Sequence, residues 1–360
     1  MVKIERHGGD FARGYDTAAD GDSTYFAWAN HGKESAVLDI KDPEDARLLN
    51  RMVSAADVFV QNLAPGALDR AGFGSDDLRT ANPGLITCDI SGYGESPERA
   101  GMKAYDLLVQ AESGLIGISG GPSELGRIGI SLADIGTGIT AYGAILEALI
   151  GRSISGRGAG VRLSLFDVMA EWMTVPYVQH KHGGSGPTRV GLHHPTIAPY
   201  GAYATSDGAL TLISIQNERE WVRLCEDVLG RPELAVDRRL ASNNLRVEHR
   251  ADLDSALDAV IATMTRSEFQ RRLADASIAY GSVNTLDDLV AHPALRLRMV
   301  QSSGGAVVDL PAHPVRWAGT RSSATDSVEP TPTVPAIGAQ TDRIRAEFHS
   351  DAALDSGWGS

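Results

Sequence analysis

The sequence predicts an α/β protein with a parallel sheet in its first half and a smaller α+β unit in its second half. Short apolar strands alternate with helical patterns from residue 2 to about residue 165, which is typical of a parallel sheet with helices on its faces. Beyond about His180 that alternation stops. The predicted divisions are a large domain over 1–180, a linker over 181–200, a small domain over 201–312, a second linker over 313–335, and a return to the large domain over 336–360.

Apolar runs bounded by turn residues predict the elements of the first half. Strands are expected at residues 2–5, 35–40, 57–60, 84–90 and 161–165, with helices after Lys41 and over 68–73, 104–113 and 167–177. The segment Lys41-Asp-Pro-Glu44 places proline and acids in a first helical turn, where both are favoured.

The second half predicts a hairpin followed by helices. Residues 201–205 and 210–215 flank Ser206-Asp-Gly208, which is typical of a tight turn. Helices are expected over 218–229, 252–264, 266–276 and 342–349, and strands over 279–283 and 306–310. The Ser/Thr/Pro-rich run over 321–335 is typical of a surface connection.

Composition restricts the class of partner and compartment. The formal charge of −13 argues against nucleic acid, although a local basic patch is still compatible with a phosphorylated ligand. Only two cysteines are present, Cys88 and Cys225, so no disulfide framework is expected and a cytoplasmic location fits. We expect no membrane association, because no apolar run reaches spanning length.

One acidic residue stands at a predicted strand-to-helix junction. The apolar stretch 128–133 is similar to a buried strand end, and the pattern over 139–150 is helical. Asp134 between them has two interpretations: a helix cap, favoured by position alone, or an ionised carboxylate at a strand end, where α/β folds place chemistry. Gly136 and Gly138 would allow a substrate to approach the backbone closely.

Other polar residues permit weaker interpretations. Arg6, Lys41, Arg70 and Lys103 follow different predicted strands or loops, and they are either solvated charges or a clamp for phosphates. The histidines over 180–194 are loosely spaced and lack an acidic partner, so they are interpreted as loop residues and no metal is expected.

Several motifs in order resemble class III CoA-transferases, the family of formyl-CoA transferase, carnitine CoA-transferase and α-methylacyl-CoA racemase. They include Leu38-Asp-Ile-Lys41, Pro65-Gly-Ala-Leu-Asp-Arg70, Gly92-Tyr-Gly94, Tyr105-Asp106 and Asp134-Ile-Gly-Thr-Gly138. The resemblance implies a Rossmann-like large domain and an interlocked homodimer of two threaded chains. It also implies CoA and acyl-CoA as substrates, with no tightly bound cofactor.

The resemblance also assigns roles to residues. Asp134 matches the catalytic aspartate, and Asp106 matches an acidic position beside it. The positions that match the CoA site are Arg6, Leu38, Lys41, Asn62, Leu63, Ala67, Arg70, Lys103 and Tyr105. Gly120, Gly121 and His194 are further substrate-side candidates, the glycines because their backbone N–H groups suit an oxyanion.

Two departures from the family pattern bear on function. The first βα unit of the family is missing before Val2, so we expect the reading frame to extend upstream. Tyr105 stands where the racemase branch carries histidine, and a racemase needs two acid/base groups.

A looser match over 194–200, 216–221 and 279–281 resembles the subgroup that uses small dicarboxylates such as itaconate, mesaconate or glutarate with succinyl-CoA. The expected activity is CoA transfer through an aspartyl-CoA thioester. The alternatives are a racemase or epimerase, hydrolysis to the free acid, and a non-catalytic CoA-binding protein.

Overall fold

The computed structural model describes residues 1–184, 186–318 and 331–349. Most of the predicted linker over 313–335 and the last part of the predicted C-terminal return, residues 350–360, therefore lie outside the described residues.

Strands and short helices alternate through the first part of the chain. The strands are β1 (Val2–Glu5), β2 (Glu34–Val37), β3 (Val58–Gln61), β4 (Ile86–Ser91), β5 (Gly160–Ser164), β6 (Tyr200–Ala204), β7 (Leu210–Ser214), β8 (Ala279–Ser282), β9 (Leu297–Gln301) and β10 (Val307–Pro311). The helices are α1 (Thr24–Asn30), α2 (Pro43–Ser54), α3 (Ala67–Arg70), α4 (Ser75–Ala81), α5 (Asp106–Glu112), α6 (Leu115–Ile118), α7 (Leu132–Ser155), α8 (Leu165–Trp172), α9 (Thr174–Gly183), α10 (Glu218–Arg223), α11 (Pro232–Val236), α12 (Asn243–Glu248), α13 (Arg250–Ile261), α14 (Arg266–Asp275), α15 (Leu286–Val290) and α16 (Thr341–Glu347).

The chain forms two compact units. Unit 1 contains residues 1–90, 142–162 and 290–360, and unit 2 contains residues 91–141 and 163–289. Residues 91–141, which the sequence analysis placed in the large domain over 1–180, are thus in the same unit as residues 163–289. The domain boundaries proposed from the sequence stay a prediction.

Unit 1 contains the parallel strands. β1 pairs with β2 in parallel, with Glu5 opposite Val37, and β3 pairs with β4 in parallel, with β5 next to β4. The apolar face of α2 packs into a core with α3, α4 and the strand ends, formed by Leu38, Leu48, Leu49, Val53, Leu68, Phe73, Leu78 and Leu85. Asp42 begins α2 by accepting from the backbone N–H groups of Glu44 and Asp45, as an N-cap should.

The C-terminal segment is bonded to β2 within unit 1. The backbone N–H of Ser35 donates to Gln340 Oε1 at 2.8 Å, and Gly338 N–H donates to Ser35 Oγ at 2.9 Å. The N–H of Val37 donates to Thr341 Oγ1 at 3.0 Å. These bonds use the free edge of β2, so the tail takes the place that a further strand would occupy.

Unit 2 contains an antiparallel sheet and two apolar cores. β6, β7 and β8 pair in antiparallel order against the helices that follow β7, through a core that includes Trp221, Leu224, Leu253, Leu257 and Phe269. A second core joins α5, the start of α7 and α8. Its buried members are Val109, Ala133, Val168 and Met169.

Several sequence predictions are corrected by the structure. Residues 128–131 form a loop, not a strand end, and the predicted helix over 167–177 is two helices, α8 and α9, separated at Met173. Strand β9 and helices α1 and α4 were not predicted. Short elements of four to seven residues carry too few periods for a pattern to distinguish them from loops.

Helix α7 also corrects the expectation that no segment reaches spanning length. It has 24 residues, and an 18-residue window has mean hydropathy 1.2. In the described chain it is the one helix that length and composition alone would allow to cross a membrane. The core helix of a globular protein meets the same two criteria.

Candidate active site

Asp134 lies in the first turn of α7, directly after the loop over 128–131. The helix N-terminus is capped by a different residue. Asp106 Oδ1 accepts from the backbone N–H of Ala133 at 2.6 Å and from that of Asp134 at 3.4 Å. The capping role that position alone favoured for Asp134 is therefore performed by Asp106, 28 residues earlier in the chain.

The Asp134 carboxylate itself is not engaged. It is exposed to solvent, and no described residue donates a hydrogen bond to it. The protein packed around it still desolvates the carboxylate, and the Asp106 charge adds repulsion, so the pKa of Asp134 is raised above its ordinary value of 3.8. A free carboxylate of increased basicity is suited to nucleophilic attack.

Gln110 is a site residue that the sequence analysis missed. It is completely buried, and its amide donates to Asp106 Oδ2 at 2.7 Å. Its carbonyl Oε1 accepts from Ile128 N–H at 3.1 Å. The signal was a glutamine four residues, about one helical turn, after Asp106.

The two glycines after Asp134 differ in the space around them. An added Cβ at Gly136 would lie 2.7 Å from Cη2 of Trp172, so this glycine is needed for packing of α7 on α8. Gly138 has open space around it and is exposed. Only Gly138 retains the open backbone that the sequence suggested for both.

The glycine-rich loop over 117–122 is held by its carbonyl groups. The guanidinium of Arg189 donates to the backbone oxygens of Gly121, Gly117 and Pro122 at 3.1, 3.3 and 3.2 Å. Gly191 N–H donates to the Gly120 oxygen at 3.0 Å. Among described residues the N–H groups of Gly120 and Gly121 have no acceptor, so this loop has donors available for an anion.

His194 lies in a loop fixed by α12 and α13. Arg250 donates to the backbone oxygens of His194 and Ile197 at 2.7 and 2.9 Å, and the His194 ring stacks on Tyr200 with centroids 5.1 Å apart. Burial and the Arg250 charge lower the pKa of His194. The Nδ1 atom accepts from Thr196 N–H at 3.2 Å, so the remaining ring proton is on Nε2.

Two of the candidate CoA residues follow paired strand ends in unit 1. Arg6 follows β1, and Leu38 follows β2, where its N–H donates to the Glu5 oxygen at 3.0 Å. Arg6 is exposed with its guanidinium carbon 3.9 Å from the centre of the Phe11 ring. Leu38 is buried in the unit 1 core, whereas Lys41 is exposed. The parallel pairing brings Arg6 and Leu38 to one edge of the sheet.

The remaining candidates lie on loops and helix ends. Asn62, Leu63 and Arg70 are exposed and Ala67 is half-buried, in the β3–α3 segment of unit 1. Lys103 and Tyr105 belong to unit 2 and are exposed before α5, Tyr105 with 65% of its surface accessible. Arg6, Lys41, Arg70 and Lys103 form no ion pair with any described carboxylate. Four unpaired cations in so acidic a chain are suited to a phosphorylated ligand.

The described residues contain no group of three or more His, Cys, Asp or Glu side chains arranged to hold a metal ion. Both cysteines are buried as free thiols.

Comparison with known proteins identifies the chain's family. The family model described as CoA-transferase family III matches residues 1–341. The chain belongs to CoA-transferase family III. The protein is thus a CoA-transferase that acts on CoA thioesters, as the sequence resemblance implied.

Individual relatives agree with this family. The chain is 32% identical to an acetyl-CoA:oxalate CoA-transferase of Acetobacter aceti, over 98% of this chain and 89% of that protein. It is 32% identical to a succinate–glutarate CoA-transferase of Agrobacterium fabrum, over 87% and 78% of the two chains. A succinyl-CoA:mesaconate CoA-transferase of Haloarcula hispanica is 30% identical over 99% and 90%.

A solved structure supports the fold. A CAIB/BAIF family protein from Brucella suis superposes with a TM-score of 0.78 and 31% identity, over 96% of this chain and 91% of that one. The predicted α/β fold class is confirmed.

Proposed function

We propose that this CoA-transferase moves CoA from succinyl-CoA to a small dicarboxylate such as itaconate or mesaconate, through an aspartyl-CoA thioester on Asp134. The observation that carries the mechanism is the solvent-accessible carboxylate of Asp134, which no described residue engages, in a helix turn fixed by Asp106. The named relatives use oxalate, glutarate and mesaconate as acceptors or donors, which supports a dicarboxylate.

The reaction proceeds by exchange of acyl groups on one carboxylate. Asp134 attacks the thioester carbonyl and the C–S bond breaks. CoA departs as its thiolate, and Asp134 is now acylated as a mixed anhydride. The thiolate then attacks the aspartyl carbonyl and releases succinate, which leaves the aspartyl-CoA thioester. The acceptor carboxylate attacks that thioester, and the same two steps run in reverse to give the new CoA ester and free Asp134. The unpaired N–H groups of Gly120 and Gly121 are proposed to stabilise the oxyanions.

Four exposed cations assigned by the family resemblance are proposed to bind the CoA phosphates. Arg6, Lys41, Arg70 and Lys103 carry no ion pair among described residues, so binding a phosphate breaks no described salt bridge. Together with the neighbouring residues assigned by resemblance, they make up the proposed CoA site. No tightly bound cofactor is part of this proposal.

A homodimer located in the cytoplasm completes the proposal. One face of α7 exposes a row of large apolar side chains at helical spacing: Ile139, Tyr142, Leu146, Ile150 and Ile154. An apolar row of this length on a single chain favours burial against a second copy. Sedimentation should show a dimer at micromolar concentration, and a stable monomer would contradict this part.

A substrate matrix tests the proposed activity. Succinyl-CoA, acetyl-CoA and other CoA esters are each mixed with oxalate, glutarate, itaconate and mesaconate, and new CoA esters are separated by chromatography. We expect the fastest transfer from succinyl-CoA to a four- or five-carbon dicarboxylate. Fastest transfer from acetyl-CoA to oxalate would replace the donor and acceptor but leave the family activity intact.

A further inference from the structure

Gln110 is a buried polar side chain in unit 2 with every hydrogen-bonding group occupied. It has no accessible surface and follows Val109 of the α5–α7–α8 core. Its Nε2 donates to Asp106 Oδ2 at 2.7 Å and to the Ile130 oxygen at 3.4 Å, and its Oε1 accepts from Ile128 N–H at 3.1 Å. A buried amide is retained only where such partners compensate for its desolvation.

These bonds converge on the segment that leads to Asp134. The Gln110 carbonyl oxygen holds the loop over 128–131 at Ile128, and the amide nitrogen holds both the Ile130 oxygen of that loop and the Asp106 carboxylate. The second oxygen of that carboxylate accepts from Ala133 N–H at 2.6 Å. The backbone immediately before Asp134 is therefore fixed on both sides through a single side chain.

We propose that Gln110 is a positioning residue for acyl transfer, which orients the Asp106 carboxylate against the first turn of α7 and thereby fixes the attack geometry of Asp134. This proposal rests on the proposed function, in which Asp134 is the nucleophile. No other described side chain donates to Asp106 Oδ2, so without Gln110 the carboxylate is held at one oxygen alone, by the backbone N–H groups of Ala133 and Asp134.

The expected effect is on chemistry and not on binding of the CoA ester. Gln110 is buried and is not part of the proposed CoA site, so the Michaelis constant for succinyl-CoA should stay within about twofold. Misplacing a nucleophile by about 1 Å reduces rate by up to about 100-fold, so kcat should fall about 10- to 100-fold.

Two variants and a matched control test the proposal. Gln110→Met keeps the side-chain length and removes all three hydrogen bonds. Gln110→Glu keeps an acceptor for Ile128 N–H and removes the donor to Asp106. The control Gln270→Met removes a glutamine bonded to Thr211 and Ser282 instead. Each purified protein is assayed well below its unfolding temperature for kcat, for the Michaelis constant, and for donor-dependent hydroxylamine labelling of Asp134.

The proposal expects slow transfer and slow Asp134 labelling in both Gln110 variants, with normal values in Gln270→Met. Wild-type kcat in folded Gln110→Met would overturn it, since the bond to Asp106 would then be dispensable. Equal loss in Gln270→Met would also overturn it, because the effect would reflect general stability. Absence of labelling in the wild type would instead overturn the nucleophilic role of Asp134, and with it the proposed function.

Discussion

The carboxylate of Asp106 accepts a hydrogen bond from the backbone N–H of Ala133 at 2.6 Å, so the helix that carries Asp134 is capped by a residue from α5. The side chain of Asp134 is consequently not needed to begin its own helix. Because Asp134 is not needed as a cap, its carboxylate is available for chemistry. Substitutions can therefore separate a structural role from a catalytic one.

Replacing Asp134 should remove activity without weakening the fold. In Asp134→Asn the amide cannot form an acyl intermediate, so transfer should fall below detection. The environment raises the pKa of Asp134, so ionisation is less favourable in the folded protein than in the unfolded chain. The contribution of Asp134 to the free energy of unfolding therefore falls as pH rises through that pKa. The variant should therefore unfold at the same or higher urea concentration at pH 7.

A carboxylate on the same helix provides the control. Glu147 is exposed on α7, and Glu147→Gln should retain wild-type transfer. Near-normal turnover in a folded Asp134→Asn protein would rule out Asp134 as the nucleophile.

Asp106→Asn should move the acidic limb of the pH–rate profile. Transfer needs ionised Asp134, so kcat/KM falls as pH decreases through the pKa of Asp134, which lies above 3.8 because of burial and then the Asp106 charge. Removing that charge should lower the midpoint towards 3.8, while burial keeps part of the shift. Profiles from about pH 4 to pH 8 measure the midpoint independently of the absolute rate. A midpoint that stays or rises would show that Asp106 does not act on Asp134 through charge.

Arg70→Ala and Lys103→Ala should each weaken binding of the CoA ester. Both side chains are exposed and unpaired among described residues, and loss of one phosphate contact should raise the Michaelis constant about 3- to 30-fold at low salt. The increase should shrink as salt screens the charges. Arg271→Ala is the control, because Arg271 is an exposed arginine whose only ion-pair partner among the described residues is Asp275, four residues away. Unchanged constants in both variants would identify these cations as ordinary solvated charges.

Arg13→Met should strongly destabilise unit 1. Arg13 donates to Glu5 at 2.7 and 2.9 Å and its guanidinium lies 3.7 Å from the centre of the Phe26 ring. Glu5 is buried, and removing the partner of a buried charge costs about 3–5 kcal/mol, measured by urea unfolding at pH 7. Arg271→Met, which breaks an exposed pair, should change stability by less than about 1 kcal/mol.

The same pair predicts a pH dependence of stability. Burial favours a higher pKa for Glu5, but hydrogen bonds from Arg13, Ser35 and the Asp10 backbone, with the Arg13 charge, outweigh it and lower the pKa below 4.5. Its contribution is therefore complete above pH 4.5 and is lost as pH falls through the lowered value. The loss should be smaller in Arg13→Met, and an identical loss would show that Glu5 does not depend on Arg13.

The reaction should be transfer and not racemisation, because Tyr105 occupies the position of the racemase histidine and is exposed. A 2-methylacyl-CoA incubated in deuterated water without an acceptor should exchange its α-hydrogen no faster than a blank, as followed by mass spectrometry. Rapid exchange would overturn the prediction.

The sequence by itself determined the fold class and the family, and it singled out Asp134 as the candidate nucleophile. Alternation of strands and helices requires only local patterns, and the ends of strands β1 to β4 lie within about three residues of their predicted positions. The family motifs are also local, so short segments such as Tyr105-Asp106 and residues 134–138 were sufficient to identify the match over 1–341.

Only the tertiary structure decided what surrounds Asp134. The cap from Asp106, the bonds of Gln110, the Trp172 ring against Gly136 and the Arg189 contacts with the glycine-rich loop each join residues 4 to 72 positions apart. A helical period predicts which face of a segment is buried, but not which side chain of another element packs against that face. Packing of α5, α7 and α8 on one core determines which side chains come into contact. Asp106 caps α7 because its carboxylate reaches the free N–H groups of α7 at the point where the two helices begin.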